Sequence, residues 1–244
     1  MTGRVALVTG ASRGIGALVA ERFAAQGWDL TISARSPDAL GALSDRLQAA
    51  HGQKAHAVPA DMAAEDDVVR LADAHAGTFD RLDALILNAG MGSIGPLAEF
   101  PVRRFDKLYA VNVRANYLLV QHLLPLLRAT AGTAGTAKVI AVSSLTGIAG
   151  EPLNSAYGAS KAALSSLCET LNTEESMSGV TASAVCPGYV ATAMTAPLAE
   201  QVAPNSMIEA ADVAEVVVGL TRLSRSVVVP FVPMTRPGPH LWRA

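Results

Sequence analysis

Short, continuously apolar runs alternate along the chain with longer stretches in which apolar residues recur every three to four positions. Val5-Ala6-Leu7-Val8 predicts a first strand and Gly14 to Gln26 a helix closed by Gly27. Leu30-Thr31-Ile32-Ser33 predicts a second strand, followed by a helix from about Asp38 to His51. Ala55-His56-Ala57-Val58 is a weaker strand, Ala64 to Ala76 a helix, and Ala84-Leu85-Ile86-Leu87 a strongly apolar strand. A long helix is expected from about Val102 to Arg128, then a small-residue linker, Ala129 to Ala137, and a strand from Lys138 to Val142. A second long helix covers about Ser155 to Ser178 and a strand Thr181 to Val185. Ala211 to Leu223 reads as the last helix and Val227-Val228-Val229 as the last strand.

Strands without polar alternation are those of a parallel sheet buried on both faces. The βαβα order therefore predicts an α/β protein: one doubly wound domain, about seven parallel strands with helices on both faces. With 244 residues, 50% of them hydrophobic and 16% charged, the chain can bury a full core. No linker or repeat divides it. A net charge of -2 offers no surface for nucleic acid or anionic membrane. The N-terminus enters the first strand without a leader, and no apolar run reaches about 18 residues, so a cytoplasmic protein is expected. Cys168 and Cys186 are too few for a disulfide framework. The histidines at 51, 56, 75, 122 and 240 are scattered, which argues against a metal site.

Two stretches carry candidate chemistry. In Tyr157-Gly158-Ala159-Ser160-Lys161 the phenol and the amine are four residues apart, on one face of a helix. A nearby ammonium favours a phenolate, whose unperturbed pKa is about 10, and suits the phenol to proton transfer near neutrality. A serine from the preceding Ser143-Ser144 segment would hold a substrate oxygen beside it. The second stretch, Thr9-Gly10-Ala11-Ser12-Arg13-Gly14-Ile15-Gly16, follows the first strand and opens the first helix. Gly10 permits a tight turn, Gly14 lets backbone approach a pyrophosphate, and Gly16 allows close packing of helix on sheet. The helix N-terminus then offers amides to the phosphates.

The second strand ends in Ser33-Ala34-Arg35-Ser36, with a guanidinium where an acid would hold the ribose of NAD. Arg35, with Arg13, favours the 2′-phosphate of NADP(H). Asp61-Met62 and Asn88-Ala89-Gly90 end the third and fourth strands at the same carboxyl edge. Asp61 reads equally as a helix N-cap and Asn88 as a turn former.

From about Val5 to Met194, in motif order and spacing, the chain resembles a short-chain dehydrogenase/reductase of the carbonyl reductase or 3-oxoacyl reductase kind. The resemblance rests on Thr9 to Gly16, Asp61, Asn88-Ala89-Gly90, Asn112, Ser144, Tyr157, Lys161, Pro187-Gly188 and Thr192. It implies Tyr157 as general acid or base, Ser144 as the substrate-oxygen partner, and Lys161 on the nicotinamide ribose. Asn112 would hold a water in a proton relay, or else be a buried asparagine bonded only to backbone. Asn88 and Gly90 would line the cofactor cleft, and Pro187, Gly188, Val190 and Thr192 would cover the nicotinamide. Substrate would face Met91, Ser93, Ile94, Leu145, Ile148, Leu153, Tyr189, Met194 and Leu198, a mainly apolar set that suits a hydrophobic ketone or secondary alcohol. Arg103 and Arg104 are either a carrier-protein contact or a solvated pair. The long helices imply a homodimer or homotetramer. Residues 1–100 would mainly bind cofactor and 101–232 form the catalytic half.

The resemblance breaks down at the C-terminus. The usual Val-Asp-Gly-Gly turn is replaced by Val227 to Pro233 and a tail over 233–244, and the segment Ala193 to Met207 allows only a small lid. Rival readings are an NAD-dependent alcohol dehydrogenase on the same site and a dinucleotide sensor without turnover.

Overall fold

In a computed structural model, residues 3–198, 200 and 202–238 are described, the side chain of Pro204 excepted. Seven strands form one parallel sheet: β1 (Val5–Thr9), β2 (Asp29–Ala34), β3 (Ala55–Pro59), β4 (Ala84–Leu87), β5 (Ala137–Val142), β6 (Val180–Pro187) and β7 (Phe231–Met234). Their order is β3-β2-β1-β4-β5-β6-β7. The chain winds outward from β1 to β3, returns to place β4 beside β1, and then winds the other way. The carboxyl ends of β1 and β4 thus form the switch point where such sheets bind ligands.

The helices are α1 (Gly14–Ala25), α2 (Pro37–His51), α3 (Glu65–Thr78), α4 (Val102–Tyr109), α5 (Ala115–Ala134), α6 (Ser155–Glu175) and α7 (Ala210–Leu220). Alternate strand residues serve opposite faces, which explains why the strands are apolar throughout. Leu7, Leu85, Val139 and Ala182 pack with Leu71, Leu119 and Leu164 of α3, α5 and α6. Val8, Ile86, Ile140 and Val185 pack with Phe23, Leu40 and Val217 of α1, α2 and α7. Among the described residues no helix is long and apolar enough to cross a membrane.

β1 and β4 are tied at both ends by polar groups. At the amino end the Val5 N–H donates to Asp83 Oδ2 at 2.8 Å, and Arg81 grips that carboxylate. At the carboxyl end Thr9 Oγ1 donates to the Ile86 carbonyl at 3.1 Å.

Three sequence expectations are corrected. The last strand is Phe231–Met234, paired with Ala184 to Pro187. Val227 and Val228 instead lie in the irregular segment before it, 44% and 38% exposed. Pro233 is tolerated there because β7 is an edge strand. The long helix expected over 102–128 is interrupted by a π turn, Ala110–Arg114, between α4 and α5. The linker expected over 129–137 is mostly helix, since α5 continues to Ala134 and ends at Gly135 with φ 86°. Of the tail over 233–244, residues 239–244 and with them His240 lie outside the described residues.

Candidate active site

Ser144 leaves the carboxyl end of β5 and Tyr157 and Lys161 sit in the first two turns of α6. They meet because the turn Leu145–Gly147 packs directly on that helix. Two glycines permit the contact. A Cβ on Gly147 would stand 2.8 Å from the Lys161 carbonyl carbon, and one on Gly158 would stand 2.7 Å from the Thr146 carbonyl oxygen. Ser143 locks the same crossing, donating to the Lys161 carbonyl at 2.9 Å and bonding Ser165 at 2.9 Å.

Ser144 is buried, and its Oγ accepts from the Thr146 N–H at 3.2 Å and the Thr146 hydroxyl at 2.9 Å. Its own proton remains available to the Tyr157 oxygen, whose pKa the Ser144 hydroxyl lowers. Burial pushes the Tyr157 phenol up to about 12, and the Ser144 bond pulls the other way. The expected depression of Tyr157 by Lys161 is therefore not produced by the protein's own groups. The Lys161 ammonium lies 5.7 Å from the Tyr157 ring centroid and donates instead to the Val142 carbonyl at 2.7 Å. Burial brings Lys161 down to about 8.

Asn112 occupies the π turn and is fully buried. Its Oδ1 accepts from the Met91 N–H at 2.8 Å, and its Nδ2 donates to the Met91 carbonyl and to Ser160 Oγ, each at 3.0 Å. Its own carbonyl accepts from Asn116 Nδ2 at 2.8 Å. A Cβ on Gly90 would be 3.4 Å from Lys161 Nζ and 3.6 Å from Asn112 Oδ1, so Gly90, Asn112 and Lys161 share one corner of the cleft.

The glycine turn converges on the same edge. Gly10 and Gly14 have φ of 66° and 58°, the left-handed region that glycine adopts without strain. A Cβ on Gly16 would stand 2.4 Å from the Gly10 carbonyl oxygen and 2.5 Å from Asn88 Nδ2. Asn88 donates to the Thr9 and Gly10 carbonyls at 2.9 and 3.1 Å, and Thr9 Oγ1 accepts from the N–H groups of Asn88 and Ala89. Gly14 faces Thr192 across the cleft, with the threonine methyl 3.6 Å from a built Cβ. The N-terminus of α1 has no side-chain cap and no acidic residue in its first turn, so its free amides suit a phosphate. A dinucleotide fits this cradle.

The Ala11 N–H donates to the Ser33 carbonyl at 2.9 Å and the Ala60 N–H to the Ala34 carbonyl at 3.0 Å, bringing Ser12 and Arg13, Arg35 and Asp61 to one edge. Arg13 and Arg35 are exposed there. Asp61 Oδ1 accepts from the Ala63 N–H at 2.9 Å. Ile15 is half-buried and packs against the core. The side chains of Met62 and Val190 are buried in the two cores. Pro187 ends β6, and the Gly188 N–H donates to the Met234 carbonyl at 2.9 Å.

Ile94, Ile148, Leu153 and Met194 expose between 43% and 51% of their surface, and Met91, Ser93, Tyr189 and Leu198 are half-buried. A Cβ on Gly92 would touch Met194 Sδ at 3.4 Å, and the Gly95 N–H donates to the Leu153 carbonyl at 2.9 Å. Leu145 is an exception: at 1% exposure it is core, not cleft wall. Arg103 and Arg104 are exposed in the first turn of α4. The sequence reading gave no separate role to Thr9 and Ser160 and did not single out Thr146 or Gly147. Gly158 was a readable signal, because a glycine inside a helix costs about 1 kcal/mol and marks close approach.

The short chain dehydrogenase family matches residues 4–203. A rhamnolipid-biosynthesis 3-oxoacyl-(acyl-carrier-protein) reductase of Pseudomonas aeruginosa is 37% identical over 201 residues, 82% of this chain and 77% of that protein. The 2-(R)-hydroxypropyl-CoM dehydrogenase of Xanthobacter autotrophicus is 36% identical over 196 residues, 79% of this chain and 76% of that protein. In three dimensions the Pseudomonas aeruginosa RhlG/NADP active-site complex matches with a TM-score of 0.86 at 31% identity, covering 99% of this chain and 97% of that one. The Brucella melitensis 3-oxoacyl-(acyl-carrier protein) reductase in complex with NAD matches with a TM-score of 0.87 at 27% identity, covering 99% of this chain and 98% of that one.

Proposed function

The chain belongs to the short-chain dehydrogenase family, and from that premise we propose an NADPH-dependent reductase of ketones, with the reverse oxidation of secondary alcohols on the same site. The observation that carries this reading is one cleft holding Ser144, Tyr157 and Lys161 at one end and exposed Arg13 and Arg35 at the other. At the close of β2 no carboxylate stands in the segment Ser33 to Ser36 to receive a free ribose 2′-hydroxyl.

When bound, the nicotinamide supplies or takes the hydride. Tyr157, protonated at neutral pH, gives its proton to the substrate oxygen as negative charge develops there, and takes one back in oxidation. Ser144 orients that oxygen. Lys161 holds the ribose hydroxyls of the nicotinamide half, and its charge favours the phenolate that Tyr157 becomes. Asn112 anchors the Met91 backbone beside this corner and holds the relay that returns a proton behind Lys161. The glycine turn, Asp61, Met62, Asn88, Ala89 and Gly90 bind the dinucleotide, and Pro187, Gly188, Val190 and Thr192 cover its reactive end. Residues 1–100 thus mainly bind cofactor, and 101–232 carry catalysis. We place the protein in the cytoplasm as a homodimer or homotetramer acting on a small hydrophobic carbonyl compound.

Fluorescence titration with NADPH and NADH side by side tests the cofactor half of the proposal. NADPH should bind more tightly, and Arg35→Asp should reverse the order. A preference for NADH that Arg35→Asp leaves unchanged would overturn it in favour of an NAD-dependent dehydrogenase.

A further inference from the structure

Three segments far apart in sequence meet at one place: the loop that holds Glu151 and Asn154, the turn that carries Tyr189, and the stretch around Arg236. Glu151 belongs to the loop that follows Ser144, and Asn154 directly precedes α6. Tyr189 follows the Pro187-Gly188 turn, and Arg236 lies just beyond β7. The Tyr189 hydroxyl donates to Glu151 Oε1 at 3.1 Å, and Asn154 Nδ2 donates to Glu151 Oε2 at 3.1 Å. The Arg236 guanidinium sits 5.6 Å from the Tyr189 ring centroid, within cation–π range. The bond from the Gly188 N–H to the Met234 carbonyl holds the C-terminal segment against the turn that carries Tyr189.

From this arrangement we propose that Glu151, Tyr189 and Arg236 form a polar clasp that sets the outer wall of the substrate site and selects for long, uncharged apolar chains. The inference rests on the carbonyl-reductase reading and deepens it. On this view the clasp orders the loop in which Ile148 and Leu153 flank Glu151, 43% and 51% exposed. Held in place, that loop offers an apolar wall to whatever extends outward from the reacting carbonyl. The charges of Glu151 and Arg236 are engaged with Tyr189, and burial together with the Glu151 carboxylate pushes that phenol up to about 12, so it remains a donor at physiological pH. The C-terminal segment, in which this chain departs from its relatives' usual ending, is on this view a specificity element.

The test is a panel of linear methyl ketones, from 2-butanone to 2-undecanone, reduced with NADPH by the full-length protein. Wild type is compared with Tyr189→Phe, Glu151→Ala, Glu151→Gln and Arg236→Ala. Glu151→Ala and Arg236→Ala should raise KM for 2-undecanone about tenfold, the scale of a few lost apolar contacts, while KM for 2-butanone and kcat change less than about twofold; Tyr189→Phe should likewise raise KM for 2-undecanone about tenfold. Glu151→Gln keeps an acceptor for the Tyr189 hydroxyl and should stay near wild type. KM values that shift equally at every chain length, or not at all, would overturn the clasp.

If wild type reduces no ketone on the panel, the carbonyl-reductase reading fails separately. Hydrogen exchange then decides on the clasp, because the amides of Ile148, Ala149 and Asn154 are bonded within the loop. Their faster exchange in Tyr189→Phe supports it, and unchanged exchange refutes it.

Discussion

Acid should weaken this fold through histidine before any carboxylate is touched, chiefly through His75, with His56, lowered by burial and by Lys54, adding a smaller part. His75 is fully buried on α3, with Nδ1 2.8 Å from Thr31 Oγ1 on β2 and Nε2 3.3 Å from the Arg81 carbonyl. Burial pulls its pKa from 6.5 down to about 4. Because the folded pKa is depressed for a base, the unfolded chain binds the extra proton between these values. Stability is therefore complete above about pH 6.5 and is lost as the pH falls toward 4. Each pH step of one below 6.5 removes about 1.4 kcal/mol, so the loss between pH 7.5 and pH 5 is about 2 kcal/mol. With a urea slope of roughly 2–3 kcal/mol per M, the unfolding midpoint should fall by about 0.7–1 M. Asp67 and Glu175, whose pKa values are lowered from 3.8 and 4.5, lose their contribution only at lower pH. Urea titrations at pH 7.5, 6.5, 5.5 and 5.0 would measure the slope, with His75→Gln as control. The control should be less stable at pH 7.5 but much flatter with pH. A wild-type midpoint that is level from 7.5 to 5, or a control that keeps the full slope, would show the reasoning about His75 to be wrong.

Further outcomes bear on the site. Tyr157→Phe should lower ketone reduction about 10²–10⁴-fold while NADPH affinity, read by fluorescence, stays within a few-fold; retained turnover would remove Tyr157 as the acid. Lys161→Ala should damage affinity and rate together, and loss of rate alone would argue against its place on the ribose. Gly147→Ala puts a methyl 2.8 Å from the Lys161 carbonyl carbon. It should cost about 1–3 kcal/mol and displace Ser144 from Tyr157, lowering kcat/KM by about 10²-fold. Wild-type kinetics in that variant would show that the crossing has slack.

The strands of the sheet were legible because burial on both faces leaves continuous apolar runs. The glycine turn, Ser144, Tyr157 and Lys161 were legible because each has a spacing tied to a geometry. The last strand was misread for the same reason that the others were found: Val227-Val228-Val229 is the more apolar, β-branched run. Yet the sheet edge takes Phe231–Met234, Pro233 included, where the backbone meets β6. The π turn around Asn112 was hidden, since the apolar pattern continues through it. The state of Tyr157 could not be read from spacing, because desolvation depends on what covers the phenol. Glu151 carries no signal of its own in the sequence, and neither Arg236 nor the Tyr189 hydroxyl points to a contact until β7 is placed beside β6.

The polar ties at the two ends of β1 and β4 carry a further meaning. A strand that is apolar on both sides can slide by one residue along its neighbour and still bury hydrocarbon, so its hydrophobic pattern says almost nothing about alignment. In this protein alignment is settled by the Asp83 carboxylate at one end and by Thr9 and Asn88 at the other. A slip of one position would move the glycine turn about 3.3 Å relative to Asn88 and dismantle the cradle. Folding to the right register and assembling the cofactor edge are then a single event, and a misaligned sheet would announce itself as a protein unable to hold a dinucleotide.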